Sequence, residues 1–403
     1  MARFEHLPYE IVFLIAQLFD QERDLNSLCR VSRTIHWALD PLLYTRHVRH
    51  HTGTKTLNWA REHDRANTVK KLLGALARVH RPGDGGLQAL QAAAIDGKWD
   101  VVKLSLEMDE FDPEWLGTDP KFPGVLALAA MNGPREIMEL LLRHPGTKPQ
   151  EVDGHFQTPL MHAAENGRAD IVEMLLGDPR IDPAFPCRRG GTAVSRAASR
   201  RTDNTRVLGI LLADPRIDAN KPDVEGRTPA YFAASSADGV NLRPLIEAGA
   251  HLDVRADNGE TPLWIAAKAG RTKAVKMLLE APGDLDVNVR VGSDWRSPLV
   301  TAIHRGYEDI VGMLCQDPRV DLNLPDDYGR TPLIAAVYKG RLKFVTLLCQ
   351  NPRVLPNLVD ASGRSALAWA STRKRSPCKP PLLSHPDIDI RLSEAVNQNG
   401  DTA

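Results

Sequence analysis

A helix–break–helix pattern recurs along this chain every 33 to 36 residues, and it restricts the possible architecture more than any other feature. The clearest copy runs from Thr158 to Leu176. Thr158 is an N-cap residue and Pro159 suits the first helical position, where no N–H is needed. Gly167 supplies the positive φ that ends the first helix. Ile171, Val172, Leu175 and Leu176 then make an apolar stripe at helical spacing. The leucine position of Thr158-Pro159-Leu160 recurs at Leu57, Leu90, Leu126, Val194, Ala230, Leu263, Leu299, Leu333 and Leu367. Two helices this short cannot bury a core alone, so the copies must stack into an all-α solenoid.

The openings Thr228-Pro229, Thr261-Pro262, Ser297-Pro298 and Thr331-Pro332, each followed by an alanine-rich helix and a leucine-rich one, resemble the ankyrin repeat. The resemblance covers roughly residues 53–403 and is most specific between 156 and 364. It implies paired helices joined by short β-hairpin loops. Met161, Trp264, Val300 and Ile334 stand where that family carries a histidine. A local habit, Asp178-Pro179-Arg180-Ile181-Asp182 with counterparts at 214–218 and 317–321, replaces the family's Gly-Ala pair, which survives at Gly249-Ala250.

Lys+Arg and Asp+Glu balance at 51 each, so no global charge argues for nucleic acid or a membrane surface. Five cysteines without a CxxC pair point to a reducing compartment. Cys315 and Cys349 fill one leucine slot in neighbouring copies and read as small buried hydrophobes. No apolar run approaches the ~20 residues that span a bilayer, and Glu5 and Glu10 interrupt any secretory signal. The reading is a soluble protein of the cytoplasm, the nucleus or both.

Residues 4–49 are different. Pro8 starts a helix with Ile11, Leu14, Ile15, Leu18 and Phe19 buried, and Asp24 caps a second with Leu25, Leu28 and Val31 on one face. Ile35, Leu39, Leu42 and Leu43 supply a third stripe. So small a module gains stability by docking on a partner. Leu7-Pro8-Tyr9-Glu10-Ile11, Asp24-Leu25-Asn26-Ser27-Leu28, Val31-Ser32-Arg33 and Pro41-Leu42-Leu43-Tyr44 resemble the F-box in order and spacing. That resemblance implies docking to the Skp1 adaptor of a cullin complex, through Leu7, Pro8, Ile11, Leu25, Leu28 and Val31.

The domains expected are 1–50, F-box-like; 53–86, a degenerate repeat and linker; 87–155, weak repeats; 156–363, well-formed repeats; and 364–403, a divergent last repeat. Pro377, Pro380 and Pro381 require a shortened or broken final second helix. Arg373-Lys374-Arg375 reads as a solvated loop. Asn399-Gly400-Asp401-Thr402-Ala403 begins a further copy, either cut short or capping the stack. Gly83, Gly85 and Gly86 form a linker, since no Gly-Lys-Ser/Thr follows them.

No motif of hydrolytic, nucleotide-binding or metal chemistry is present. His47, His50 and His51 lack nearby cysteine or carboxylate partners and read as linker. The expectation is therefore a binding protein, without catalytic residues, metal or cofactor.

In an ankyrin-like stack the pair of residues between Ala-Ala and Gly faces the inner groove. Here that ladder turns basic from Arg200 onward. The hairpin tips shift with it, through Arg188, Arg189, Arg227, Arg296, Arg330 and Arg364, against a lone Glu260. An acidic or phosphorylated target segment is the expected ligand. Arg200, Lys268, His304, Arg305, Tyr338 and Lys339 are its candidate contacts, with Trp264 and Trp295 as aromatic anchors. Joined to the F-box resemblance, this reads as the substrate adaptor of a ubiquitin ligase. The alternative is a plain scaffold whose N-terminal helices cap the stack.

Overall fold

The computed structural model describes residues 90–107, 123–236, 239–372 and 377–393, apart from 92 and 98. The F-box-like segment, the 53–86 repeat, the His47–His51 cluster, Arg373-Lys374-Arg375 and the 399–403 tail lie outside the described residues. The chain divides into two compact units, Met1–Asp182 and Pro183–Ala403.

The described part of the first unit holds α1 (Trp99–Leu106), α2 (Val125–Asn132), α3 (Arg135–Arg143), α4 (Pro159–Asn166) and α5 (Ala169–Leu176). Among the described residues of the second unit six helix pairs follow one another. They are α6 (Ala193–Ser199) with α7 (Thr205–Leu212), α8 (Pro229–Ser235) with α9 (Leu242–Glu247), and α10 (Pro262–Ala269) with α11 (Thr272–Glu280). Then come α12 (Pro298–Arg305) with α13 (Glu308–Gln316), α14 (Pro332–Tyr338) with α15 (Leu342–Cys349), and α16 (Ala366–Ser371) with α17 (Lys379–Leu383). Within this unit each first helix packs on the next first helix, and each second helix on the next second helix. Among the described residues there are no strands. Only isolated bridges occur, Val291 with Arg296 and Val359 with Ser365, so the hairpins expected from sequence are tight turns.

The local signals act as their chemistry dictates. Thr158, Thr228, Thr261, Ser297, Thr331 and Ser365 each accept a hydrogen bond from the backbone N–H three residues on. Gly167, Gly270 and Gly306 end their helices at φ of 72 to 87°. Fully buried Ala197, Ala233, Ala266, Ala302 and Ala335 let first helices approach closely, while Leu208, Leu245, Leu278, Leu314 and Leu348 fill the space between the two rows. Each such leucine contributes about 1.5–3 kcal/mol by leaving water. Cys315 is buried and Cys349 half-buried, and burial pushes both thiols up to about 11. The prolines shorten α17 to five residues.

The Asp-Pro-Arg habit joins successive repeats. Asp178 holds Arg180 through Nη2 at 2.6 Å, which keeps its carboxyl below the usual range, and Arg180 Nη2 donates to Leu142 O at the end of α3 at 2.9 Å. Arg319 does the same to Leu279 O of α11 at 2.7 Å. Arg353 goes further, donating to Cys315 O (2.7 Å), Val320 O (3.1 Å), and Pro318 O and Asp317 O (both 3.2 Å). A cation on the unpaired carbonyls of a helix C-terminus is favourable on both hydrogen-bonding and dipole grounds. Arg353→Met is therefore expected to cost about 1.5–3 kcal/mol in urea unfolding. An unchanged midpoint would show that water replaces these bonds without loss.

Candidate functional site

The inner face is built from hairpin residues and the exposed ends of the first helices. Each regular hairpin is organised by an aspartate. Asp326 Oδ1 accepts from the backbone N–H of Tyr328 and Arg330, both at 3.0 Å, while Oδ2 takes Arg330 Nε at 2.9 Å. Asp223 treats Arg227 likewise, with Nη2 at 2.7 Å. Elsewhere a ring nitrogen from the following helix fills the second oxygen. His162 Nε2 lies 3.0 Å from Asp153 Oδ2, and Trp369 Nε1 donates to Asp360 Oδ2 at 2.7 Å. The hairpin arginines Arg227 and Arg330 are thus clamped inside their own turns and are not the open forks that their sequence positions promise.

Trp264 and Lys268 also belong to the interior architecture. Trp264 is only 6% exposed, clusters with Val289 and Val291, and donates its indole N–H to Arg296 O at 2.8 Å. It cannot serve as the aromatic anchor expected from sequence, because its ring faces the next repeat. Lys268 Nζ binds Glu260 Oε1 at 2.7 Å and lies 4.8 Å from the centre of the Trp264 ring. Glu260, the lone acidic tip, is buried rather than presented, and takes Tyr231 Oη–H on its other oxygen at 2.5 Å. Burial opposes its charge, yet the bonds from Lys268 and Tyr231 prevail and hold the carboxyl below its ordinary value. Burial and that same bond push the Tyr231 phenol well up.

Three of the remaining candidates, His304, Tyr338 and Lys339, come together further along the second unit. Asp294, Arg296, His304, Tyr328, Arg330, Tyr338, Lys339, Asp360 and Trp369 surround an open hollow of about 520 Å³. Tyr338 and Trp369 meet edge to face at 5.3 Å, and Arg330 lies 4.3 Å from the Tyr328 ring centre and 5.0 Å from that of Tyr338. His304 is half-buried, and burial, then the charges of Arg296, Lys339 and Arg330, hold its imidazole down to about 4 against the pull of Asp326. It is neutral at neutral pH. Lys339 lies 5.7 Å from the Tyr338 ring centre. Arg305, the neighbour of His304 at the end of α12, is exposed and has no ion pair among the described residues. Trp369 and Tyr328 were not among the sequence candidates. Trp369 stands two residues after its repeat leucine, as His162 does after Leu160, and that shared register is the signal that marks it.

Arg200 lies outside this group, at the end of α6, where Nε donates to Thr202 Oγ1 at 2.7 Å. Trp295 is 52% exposed at a hairpin tip, with a backbone φ of 48° and Arg290 stacked 5.3 Å from its ring centre. In the first unit Phe156, 50% exposed at φ 59°, occupies the equivalent turn position. Among the described residues no group of three or more His, Cys, Asp or Glu is placed to hold a metal ion, and no helix is long and apolar enough to cross a membrane.

A family model described as ankyrin repeats (3 copies) matches in overlapping segments, residues 114–186, 160–256, 194–291, 241–326 and 299–394. Among solved structures, the human ASB11 ankyrin repeat domain is similar with a TM-score of 0.49 at 21% identity, over 58% of this chain and 100% of that one. No curated protein matches.

Proposed function

From the premise that this chain belongs to the ankyrin-repeat family, a family of protein-binding scaffolds, we propose that it is a target-binding adaptor of an Skp1–cullin–F-box ubiquitin ligase. In this reading the inner face of the second unit holds the target, through the hollow around His304, Tyr338 and Lys339, with Arg305 and Trp295 at its margin. The observation that carries the binding half is that Tyr338, Lys339, Arg305 and Trp295 are exposed, and His304 half-buried, at hairpins and helix ends. The ligase half rests on sequence. Leu7, Pro8, Ile11, Leu25, Leu28 and Val31 carry the F-box-like pattern that would dock Skp1, and the cullin complex would follow through that adaptor. The chain would perform no bond chemistry. It would raise the effective concentration of the target beside a ubiquitin-loaded enzyme.

The test is co-purification. The full chain is expected to bring down Skp1, and Leu7→Ala/Pro8→Ala to lose it while the repeat array still melts as before. Skp1 missing from the wild-type complex would leave a non-catalytic ankyrin scaffold with no ubiquitin role, its N-terminal helices acting as a cap.

A further inference from the structure

The hollow in the second unit holds two buried polar atoms without partners, and one of them traces to a change in one hairpin. In the hairpin before α14, Asp326 N–H donates to Arg330 O, and the aspartate side chain clamps that arginine. In the hairpin before α12, Val291 N–H likewise donates to Arg296 O, but Arg296 N–H returns to Val291 O because a valine stands where the clamping carboxylate belongs. Arg296 pairs instead with Asp294 through Nη2, and its Nε is left buried without an acceptor. His304 Nε2, in the same hollow, is also buried without a partner. Buried polar atoms are almost always paired, so two orphans lining one cavity point to an absent ligand.

The charges around them favour an anion. Arg330, which lines the hollow, gives Nε and Nη2 to one oxygen of Asp326, so only part of its five-donor guanidinium is committed there. The Lys339 ammonium is exposed and has no ion pair among the described residues. The carboxylates, by contrast, are spent. Both oxygens of Asp326 are filled, as are those of Asp360, by Ser362 N–H, Ser362 Oγ, Arg364 N–H and Trp369 Nε1. Asp294, the third carboxylate at the hollow, is taken by Arg296 Nη2 on one oxygen and by Ser293 Oγ–H at 3.3 Å on the other. Tyr338 and Trp369 form an apolar wall at one side.

We infer that this hollow binds one oxyanion presented on a side chain of the target, with Arg296, His304, Arg330 and Lys339 as donors and Trp369 and Tyr338 against the carbon skeleton that carries it. This rests on the reading of the inner face as the target surface. Two sources share the chemistry, a phosphorylated side chain and an acidic one.

The full chain is titrated with phenyl phosphate, benzoate and inorganic phosphate by calorimetry and ligand-observed NMR. Saturable binding of an aryl oxyanion is expected. Lys339→Glu should weaken it at least about tenfold, the effect of removing one charge-assisted bond. Arg243→Glu, a reversal on the exposed face of α9, should leave it unchanged. Preference for phenyl phosphate over benzoate identifies the phosphorylated source, and the reverse preference the acidic one. Absence of binding by all three probes, or equal weakening by both reversals, overturns the inference. Target capture from extract is measured on the same variants. Capture that depends on Lys339 without probe binding would sink the oxyanion site and keep the binding face. Probe binding without any effect on capture would do the opposite.

Discussion

Replacing Gly329 by alanine is expected to destabilise the second unit by about 2–3 kcal/mol, while the same change at Gly363 costs about 1 kcal/mol. The two glycines hold one turn position in adjacent hairpins, at φ of 73° and 75°, so the left-handed penalty is common to both. Their surroundings differ. A Cβ on Gly329 would stand 2.6 Å from the backbone nitrogen of Ala361, whereas a Cβ on Gly363 meets nothing within 4 Å. Ala361 N–H donates to Tyr328 O at 3.0 Å, one of the bonds joining successive hairpins, as Val224 N–H joins Arg189 O and Asp257 N–H joins Glu225 O, both at 2.9 Å. Alanine at 329 must push that nitrogen away and break the bond. Urea unfolding of the two variants checks this, and equal losses would show that the hairpins yield without cost.

The repeat itself was legible because its determinants are local. A threonine followed by proline, two alanines and a glycine at fixed spacing specify a capped short helix whatever surrounds them, and the apolar stripe of the second helix needs only its period. The shortened α17 followed from three prolines for the same reason. The candidate site was less legible because the partners that decide a side chain's availability sit one repeat away. Glu260 reads as an exposed acidic tip in sequence. It is buried because Tyr231 arrives from 29 residues upstream and Lys268 from the following helix. Arg227 and Arg330 read as free forks, yet an aspartate four residues earlier, present in sequence but unremarked, clamps each one.

The orphaned Nε of Arg296 has a cause visible in the sequence. Val291, like Cys187 and Ala256, stands in a column that holds Asp153, Asp223, Asp326 and Asp360 in other copies, and of these three it alone faces a hairpin arginine. The missing carboxylate becomes an unfilled donor only through the fold, which buries Arg296 Nε at that turn. What a repeat lacks relative to its neighbours carries the specificity, because the shared residues are already committed to the stack.

The two tryptophans proposed as anchors are expected to respond in opposite ways. Trp264→Ala removes a ring packed on Val289 and Val291 and leaves Arg296 O with the Val291 N–H alone, so a loss of about 3–5 kcal/mol follows from cavity formation alone. Trp264→Phe keeps most of the volume and should cost about 1–2 kcal/mol through the lost indole bond. Trp295→Gly should change stability by less than about 1 kcal/mol, since relief of the left-handed backbone of a bulky residue offsets the entropy of glycine and the lost stacking on Arg290. A chain that keeps a tryptophan where glycine would serve the turn is tolerating strain, and such strain collects at working surfaces. Captured target should accordingly fall about thirtyfold or more with Trp295→Gly, the range of a binding hot spot. Capture unchanged in a fully folded Trp295→Gly chain would remove Trp295 from the binding surface. A large loss of stability in that variant would mean that its ring, like that of Trp264, holds the repeats together.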